Sequence, residues 1–402
     1  MNDPYQQYHQ YYGLPAPPPP YKDNTLKIVA VVVSLLLLFI GCTVYLLTHG
    51  LGRRGFVRGM YNGYIAEGDA KYSRGDYQGA VDSFTFAVDL EPDKSIGYTH
   101  RGNAKVAMKR YDDAIADYSH ALNVLSTPAG IDELGDPGTS QADKVAMLPD
   151  ARAIEYYNLG LAYADKRDYA SAIVSYTSAL TDSPYYFDAY SNRAFAYAGL
   201  RRWDLALADA TFIVQKKPGD ADARVELAEI YAAKGDARRT FSEYMLAITL
   251  KPQALDYYQR LGYLSEQGHR FDDSVACWQT AAKNNPTNAI CWANLGWAQY
   301  LDGKVQASIV NSKKAISIDG NCSSAYLNAG LAYAVLGDWN HARPIYQAVT
   351  DHARASDFMA GLDDVHNALK TQSRSTALRQ AEAFLTAAAR QNASNRPARR
   401  SG

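Results

Sequence analysis

Six small residues set the frame for this chain. Gly160, Ala194, Ala228, Gly262, Gly296 and Gly330 follow one another at intervals of 34 residues, and nothing larger than alanine enters the phase. Other positions keep step with them. Tyr156, Tyr190, Arg224, Tyr258, Trp292 and Tyr326 hold one register, and Pro184, Pro218, Pro252 and Pro286 close four of the units. Within residues 153–186, Tyr156, Leu159, Gly160 and Tyr163 share one helical face, while Tyr169, Ala172, Tyr176 and Ala179 share another. Pro184 stops the second helix, because proline has no N–H to donate and clashes with the preceding turn. A pair of helices this short cannot bury both of its faces alone. It needs a copy of itself on each side, and stacked copies make a solenoid.

Two more copies lie upstream at another offset, the first built on Tyr64, Gly68, Tyr77, Ala80, Phe84 and Pro92, the second on Tyr98, Gly102, Tyr111, Ala114 and Tyr118. With these eight copies the pattern resembles the tetratricopeptide repeat family, whose 34-residue helix–turn–helix unit carries W-x2-L-G-x2-Y, A-x3-F and a proline in fixed order. The resemblance implies an all-α fold, a right-handed superhelical solenoid of about eight helix–turn–helix repeats. Repeats 1–2 are expected at 61–128 and repeats 3–8 at 153–356, followed by C-terminal capping helices at 357–391. Gly68, Gly102, Gly160, Ala194, Ala228, Gly262, Gly296 and Gly330 are then the packing positions at which the two helices of a unit approach.

Composition narrows the class further. The net charge of −1 and the 21% of charged residues show no strong bias toward nucleic acid or any polyanion, so no nucleic-acid partner is expected. The four cysteines, Cys42, Cys277, Cys291 and Cys322, are too scattered for a disulfide framework and read as buried small apolar residues. Residues 1–25 are rich in Pro, Tyr and Gln and read as a disordered tail. Residues 28–47, within an expected transmembrane helix at 26–48, form an uncharged run long enough to span a bilayer. They predict a single-pass membrane protein with lipid as one partner. Lys22 and Lys27 on one side balance Arg53, Arg54 and Arg58 on the other, so the side that carries the repeats stays open. Residues 49–60 read as a Gly/Arg linker, 129–152 as an inserted loop serving either as a surface excursion or as a hinge, and 392–402 as a basic disordered tail.

Catalytic and metal motifs are missing from the sequence. The eight histidines show no metal-ligand spacing, and no phosphate-binding loop or nucleophile elbow occurs, so neither enzyme activity nor a cofactor is expected. What remains is the surface. In the family the first helix of each unit lines a concave groove that takes peptides or partner helices. The groove position two before the small residue reads Ala66, His100, Asn158, Asn192, Glu226, Arg260, Asn294 and Asn328. Repeated asparagine here resembles an asparagine ladder, in which each amide offers a donor and an acceptor to a bound backbone. An equally simple reading is that asparagine suits this repeat position. The lysine and arginine residues of a carboxylate clamp are absent. The expected function is a membrane-tethered scaffold or adaptor for protein or peptide partners. The alternatives are an assembly component that packs through its repeats, self-association included, or an accessory subunit of an enzyme carried by another chain.

Overall fold

A computed structural model describes residues 53–136, 138–350 and 353–394. Among these the chain is all α-helix, with no strand. Eight antiparallel pairs follow one another: α1 (Arg53–Ser73) with α2 (Tyr77–Leu90), then α3 (Ser95–Ala107) with α4 (Tyr111–Leu125). The short α5 (Pro128–Asp132) intervenes. The third to fifth pairs are α6 (Gln141–Asp165) with α7 (Tyr169–Asp182), α8 (Phe187–Gly199) with α9 (Trp203–Lys216), and α10 (Ala221–Lys234) with α11 (Ala237–Leu250). The last three are α12 (Leu255–Gln267) with α13 (Phe271–Asn284), α14 (Ala289–Leu301) with α15 (Val305–Ile318), and α16 (Ser323–Val335) with α17 (Trp339–Ala348). A hairpin of α18 (Ala355–Thr371) and α19 (Thr376–Ser394) closes the array.

The small-residue phase has a direct physical cause. A Cβ placed on Gly160 would stand 2.5 Å from the Tyr176 ring. Gly68 meets Phe84, Gly102 meets Tyr118, Gly262 meets Trp278 and Gly330 meets Tyr346 in the same way, at 2.3 to 2.7 Å. Each aromatic ring comes from the second helix of the pair and packs against the bare backbone of the first. The fourth pair has no ring to accommodate and sets Ala194 opposite Ala210, both buried.

Every turn within a pair uses the same device. Gly75, Lys109, Arg167, Arg201, Gly235, His269, Gly303 and Gly337 hold one register, and all have φ between 54° and 85°. Left-handed backbone suits glycine and costs other residues about 1–2 kcal/mol, so four turns carry strain that the other four avoid. One residue further on, Asp76, Asp168, Asp236 and Asp338 cap the following helix, each carboxylate accepting from a backbone N–H three residues ahead at 3.0–3.2 Å.

Three expectations change here. Residues 53–60 of the expected linker are helix, the first two turns of α1. Residues 129–152 are not a loop. They hold α5 and the first turns of α6, which runs as helix through Pro149. The insertion also does structural work, since Glu133, just beyond α5, accepts from the Ser95 backbone N–H at 2.9 Å and caps α3. The third correction concerns the membrane. No helix among the described residues is long and apolar enough to cross one. The two longest, α1 and α6, carry charged side chains throughout: Arg58, Glu67, Asp69 and Lys71 in the first, Asp143, Lys144, Asp150 and Glu155 in the second. Residues 28–47 lie outside the described residues, so neither a membrane location nor a lipid partner is assigned. Cys277, Cys291 and Cys322 are buried and free.

Candidate protein-binding face

Successive first helices touch one another, α1 with α3, α6 with α8, α8 with α10 and α14 with α16, which puts them on the inner side of the array. Residues on them that are four, three or seven apart share a face, and that face reaches the next first helix through a recurrent set of hydrogen bonds. Asp69 meets His100 at 2.8 Å, Asn192 donates to the Tyr157 hydroxyl at 3.1 Å, and Ser191 donates to Glu226 at 2.7 Å. Arg260 donates to both oxygens of Glu229 at 2.7 and 2.8 Å, and the Asn328 amide donates to the Ala293 carbonyl at 3.0 Å. These links fall 31 or 35 residues apart, one repeat less three or plus one. That offset is how neighbouring, slightly rotated first helices meet.

The six expected groove residues therefore differ in availability. Asn158 and Asn294 are half-buried and carry no side-chain hydrogen bond among the described residues. The Asn192 amide N–H group is already engaged by Tyr157 and by the Asp188 carbonyl at 2.9 Å, which leaves its oxygen free. Asn328 is buried, and its amide joins two helices instead of facing an opening. Arg260 is exposed but holds Glu229. Burial would raise the Glu229 carboxyl, yet the Arg260 guanidinium and the Tyr244 hydroxyl outweigh it and hold that carboxyl below its usual range. For Glu226, burial dominates, and the charges of Asp220, Asp188 and Asp222 push the carboxyl the same way, against the Ser191 hydroxyl.

Side chains the asparagine register did not point to dominate this face. Ile154, Phe195, Tyr263 and Ile290 occupy the same inner face at positions four before or three after the asparagine register, and each is about half exposed, at 45–55%. Between them stand the exposed carboxylates of Asp188, Asp222 and Asp256, one repeat apart. Asp222 is paired with Lys251 at 2.5 Å, whereas Asp188 and Asp256 have no ion pair among the described residues. Reading the first turns of successive first helices as a column would have found this alternation. Among the described residues no group of three or more His, Cys, Asp or Glu could hold a metal ion.

Sequence signatures described as "Tetratricopeptide repeat" match residues 65–127, 156–184 and 260–310. The chain is similar to an "Hsp70-Hsp90 organizing protein" of Triticum aestivum, with 22% identity over 284 residues, covering 70% of this chain and 39% of that protein. It thus spans about two fifths of that relative's length. A second relative, "Hsp70-Hsp90 organizing protein 2" of Arabidopsis thaliana, is 36% identical over 52 residues, covering 13% of this chain and 9% of that protein. Among solved structures, a tetratricopeptide repeat protein from Parabacteroides merdae is similar at 16% identity and a TM-score of 0.44, covering 68% of this chain and 99% of that one. The "TPR2AB-domain:pHSP90-complex of yeast Sti1" is similar at 17% identity and a TM-score of 0.29, covering 82% and 99%.

Proposed function

Given that the chain belongs to the tetratricopeptide repeat family, we propose that it is a scaffold that binds a protein partner along the inner face of its third to seventh pairs. One observation carries this reading. Phe195, Tyr263, Ile154 and Ile290 are large apolar side chains left half exposed on a continuous face that the chain covers elsewhere with its own residues. The two relatives are named for organising Hsp70 and Hsp90, which fits a scaffold but does not extend to the partner. The charge here differs from what an acidic C-terminus would need. Asp188, Glu226 and Asp256 face the same opening with no cation bound to them, so the surface suits an extended segment that carries lysine or arginine among apolar side chains.

The test compares full-length wild type with Phe195→Ser/Tyr263→Ser in quantitative proximity labelling. Losing the same set of labelled proteins from the variant, with its melting temperature unchanged, is the expected result. An unchanged set removes the inner face as the binding surface. Partners that bind more tightly as salt rises would contradict the electrostatic part.

A further inference from the structure

The inner face is not open along its whole length. At the eighth pair it is buried, and the chain's own α18 covers it. Leu331 is 3% exposed, against 45% for Phe195 and 55% for Tyr263 at the same register in the fourth and sixth pairs. The helix responsible does not sit where another first helix would stack. In every earlier pair the following first helix packs on the preceding second helix, but here α18 packs on α16, while α19 packs on both α16 and α17. Phe358, Leu362 and Val365 are buried at i, i+4 and i+7, forming a single apolar stripe against this face. Gly361 stands at the crossing, where a Cβ would lie 3.1 Å from Leu327 Cδ2.

The seat is also imperfect. Asp364 on α18 is half-buried near Tyr300 and Tyr346 and has no ion pair among the described residues. Burial and then the neighbouring Asp363 push its carboxyl up to about 6. The Tyr346 hydroxyl beside it is buried without a hydrogen-bond partner. A helix that offered a neutral amide at this point would satisfy the phenol and remove the buried charge.

We propose that the inner surface of the seventh and eighth pairs is a binding site for an amphipathic partner helix, kept closed by α18 as a built-in occupant. The partner helix carries an aromatic residue, a small residue and two aliphatic residues at i, i+3, i+4 and i+7, with a neutral polar residue at i+6. This rests on the inner face being the partner-binding surface and adds a second, helix-specific compartment to it.

A labelled synthetic peptide of residues 355–371, and the same peptide with Asp364→Asn, are titrated into full-length wild type and full-length Leu362→Asp/Val365→Asp. The closed wild type is expected to bind about tenfold or more weakly than the variant, because only its open fraction is competent. The Asp364→Asn peptide should bind the variant more tightly than the natural sequence does, and adding Leu331→Asp should abolish both. Equal binding to wild type and variant, or no binding by a variant with intact helical circular dichroism, overturns the proposal. If the variant unfolds, hydrogen exchange on wild type decides. Amides of α18 exchanging faster than those of α19 and α16 support a separately opening helix, and equal protection overturns it. A negative result here together with a positive Phe195/Tyr263 result removes only this compartment.

Discussion

The Arg193 guanidinium spans both oxygens of the Asp209 carboxylate, with Nε and Nη2 each 2.8 Å away, joining the two helices of the fourth pair. Its third arm reaches the Thr177 hydroxyl at 3.1 Å. The second pair repeats this with Arg101, Asp117 and Thr85, at the same spacing of sixteen residues. Asp209 and Asp117 are both buried. Breaking such a pair strands a charge, so Asp209→Ala should cost about 3–5 kcal/mol in urea denaturation. The third pair carries Leu159 and Ser175 at these two positions. Arg193→Leu/Asp209→Ser should therefore lie much closer to wild type than either single change. Additive losses would mean that the pair is not a unit.

The contact of Gly160 with Tyr176 makes a second measurement decisive. Gly160→Leu should lower stability by at least about 1–3 kcal/mol, the usual range for overpacking. Tyr176→Phe should be neutral or mildly stabilising, because the Tyr176 hydroxyl is buried without a partner. A loss of more than about 1 kcal/mol for Tyr176→Phe would show that the hydroxyl finds a partner.

Glu155 gives a pH signature. It is buried, its Oε1 accepts from the Thr99 hydroxyl at 2.5 Å, and its Oε2 has no partner. Burial dominates and pushes its carboxyl from 4.5 up to about 7, with a smaller push from Glu133. The folded chain thus holds this proton more tightly than the unfolded chain. The resulting stability is fully present below about pH 4.5 and is lost as pH rises towards about 7. At about 1.4 kcal/mol per unit the loss is on the order of 3 kcal/mol. Glu155→Gln should flatten denaturant midpoints across that window and exceed wild type at pH 8. A parallel slope in the variant would assign the effect to another group.

The strained turns predict a gain. His269→Gly places glycine where φ is 54°. It relieves about 1–2 kcal/mol of left-handed strain against about 0.5–1 kcal/mol of added chain entropy. The expected net is a modest rise in melting temperature, and Gly235→His should lower it. A fall for His269→Gly would mean that the His269–Phe271 edge contact outweighs the strain.

The phase of the helix pairs was legible because Gly68, Gly102, Gly160, Gly262 and Gly330 answer one local demand, an aromatic ring against the backbone, while Gly296 meets Ser312. The turn register was not, since Lys109, Arg167, Arg201 and His269 do not look like residues that take positive φ. The asparagine column was half legible. Its register is right for the inner side, but a one-dimensional pattern does not show that Asn192 is engaged by a tyrosine 35 residues earlier, or that Asn328 is buried and bonded to the Ala293 carbonyl. Glycine and proline in 129–152 suggested a loop, whereas α6 continues through Pro149 once its N-terminal turns pack on the insertion, where Lys144 donates to the Asp132 carbonyl at 2.6 Å.

The seat of α18 on Leu327 and Leu331 turns the inner face into a corridor with one blind end. First helices advance by about 10 Å each, so the stretch from the third pair to the blocked eighth measures roughly 40–50 Å. An extended chain covers that in about 12–15 residues. Under the proposed function, a linear segment lying there stops against α18 at that end instead of running on past it. On the proposed binding mode the blind end sets the register of a partner from one terminus, and extra length leaves past the third pair.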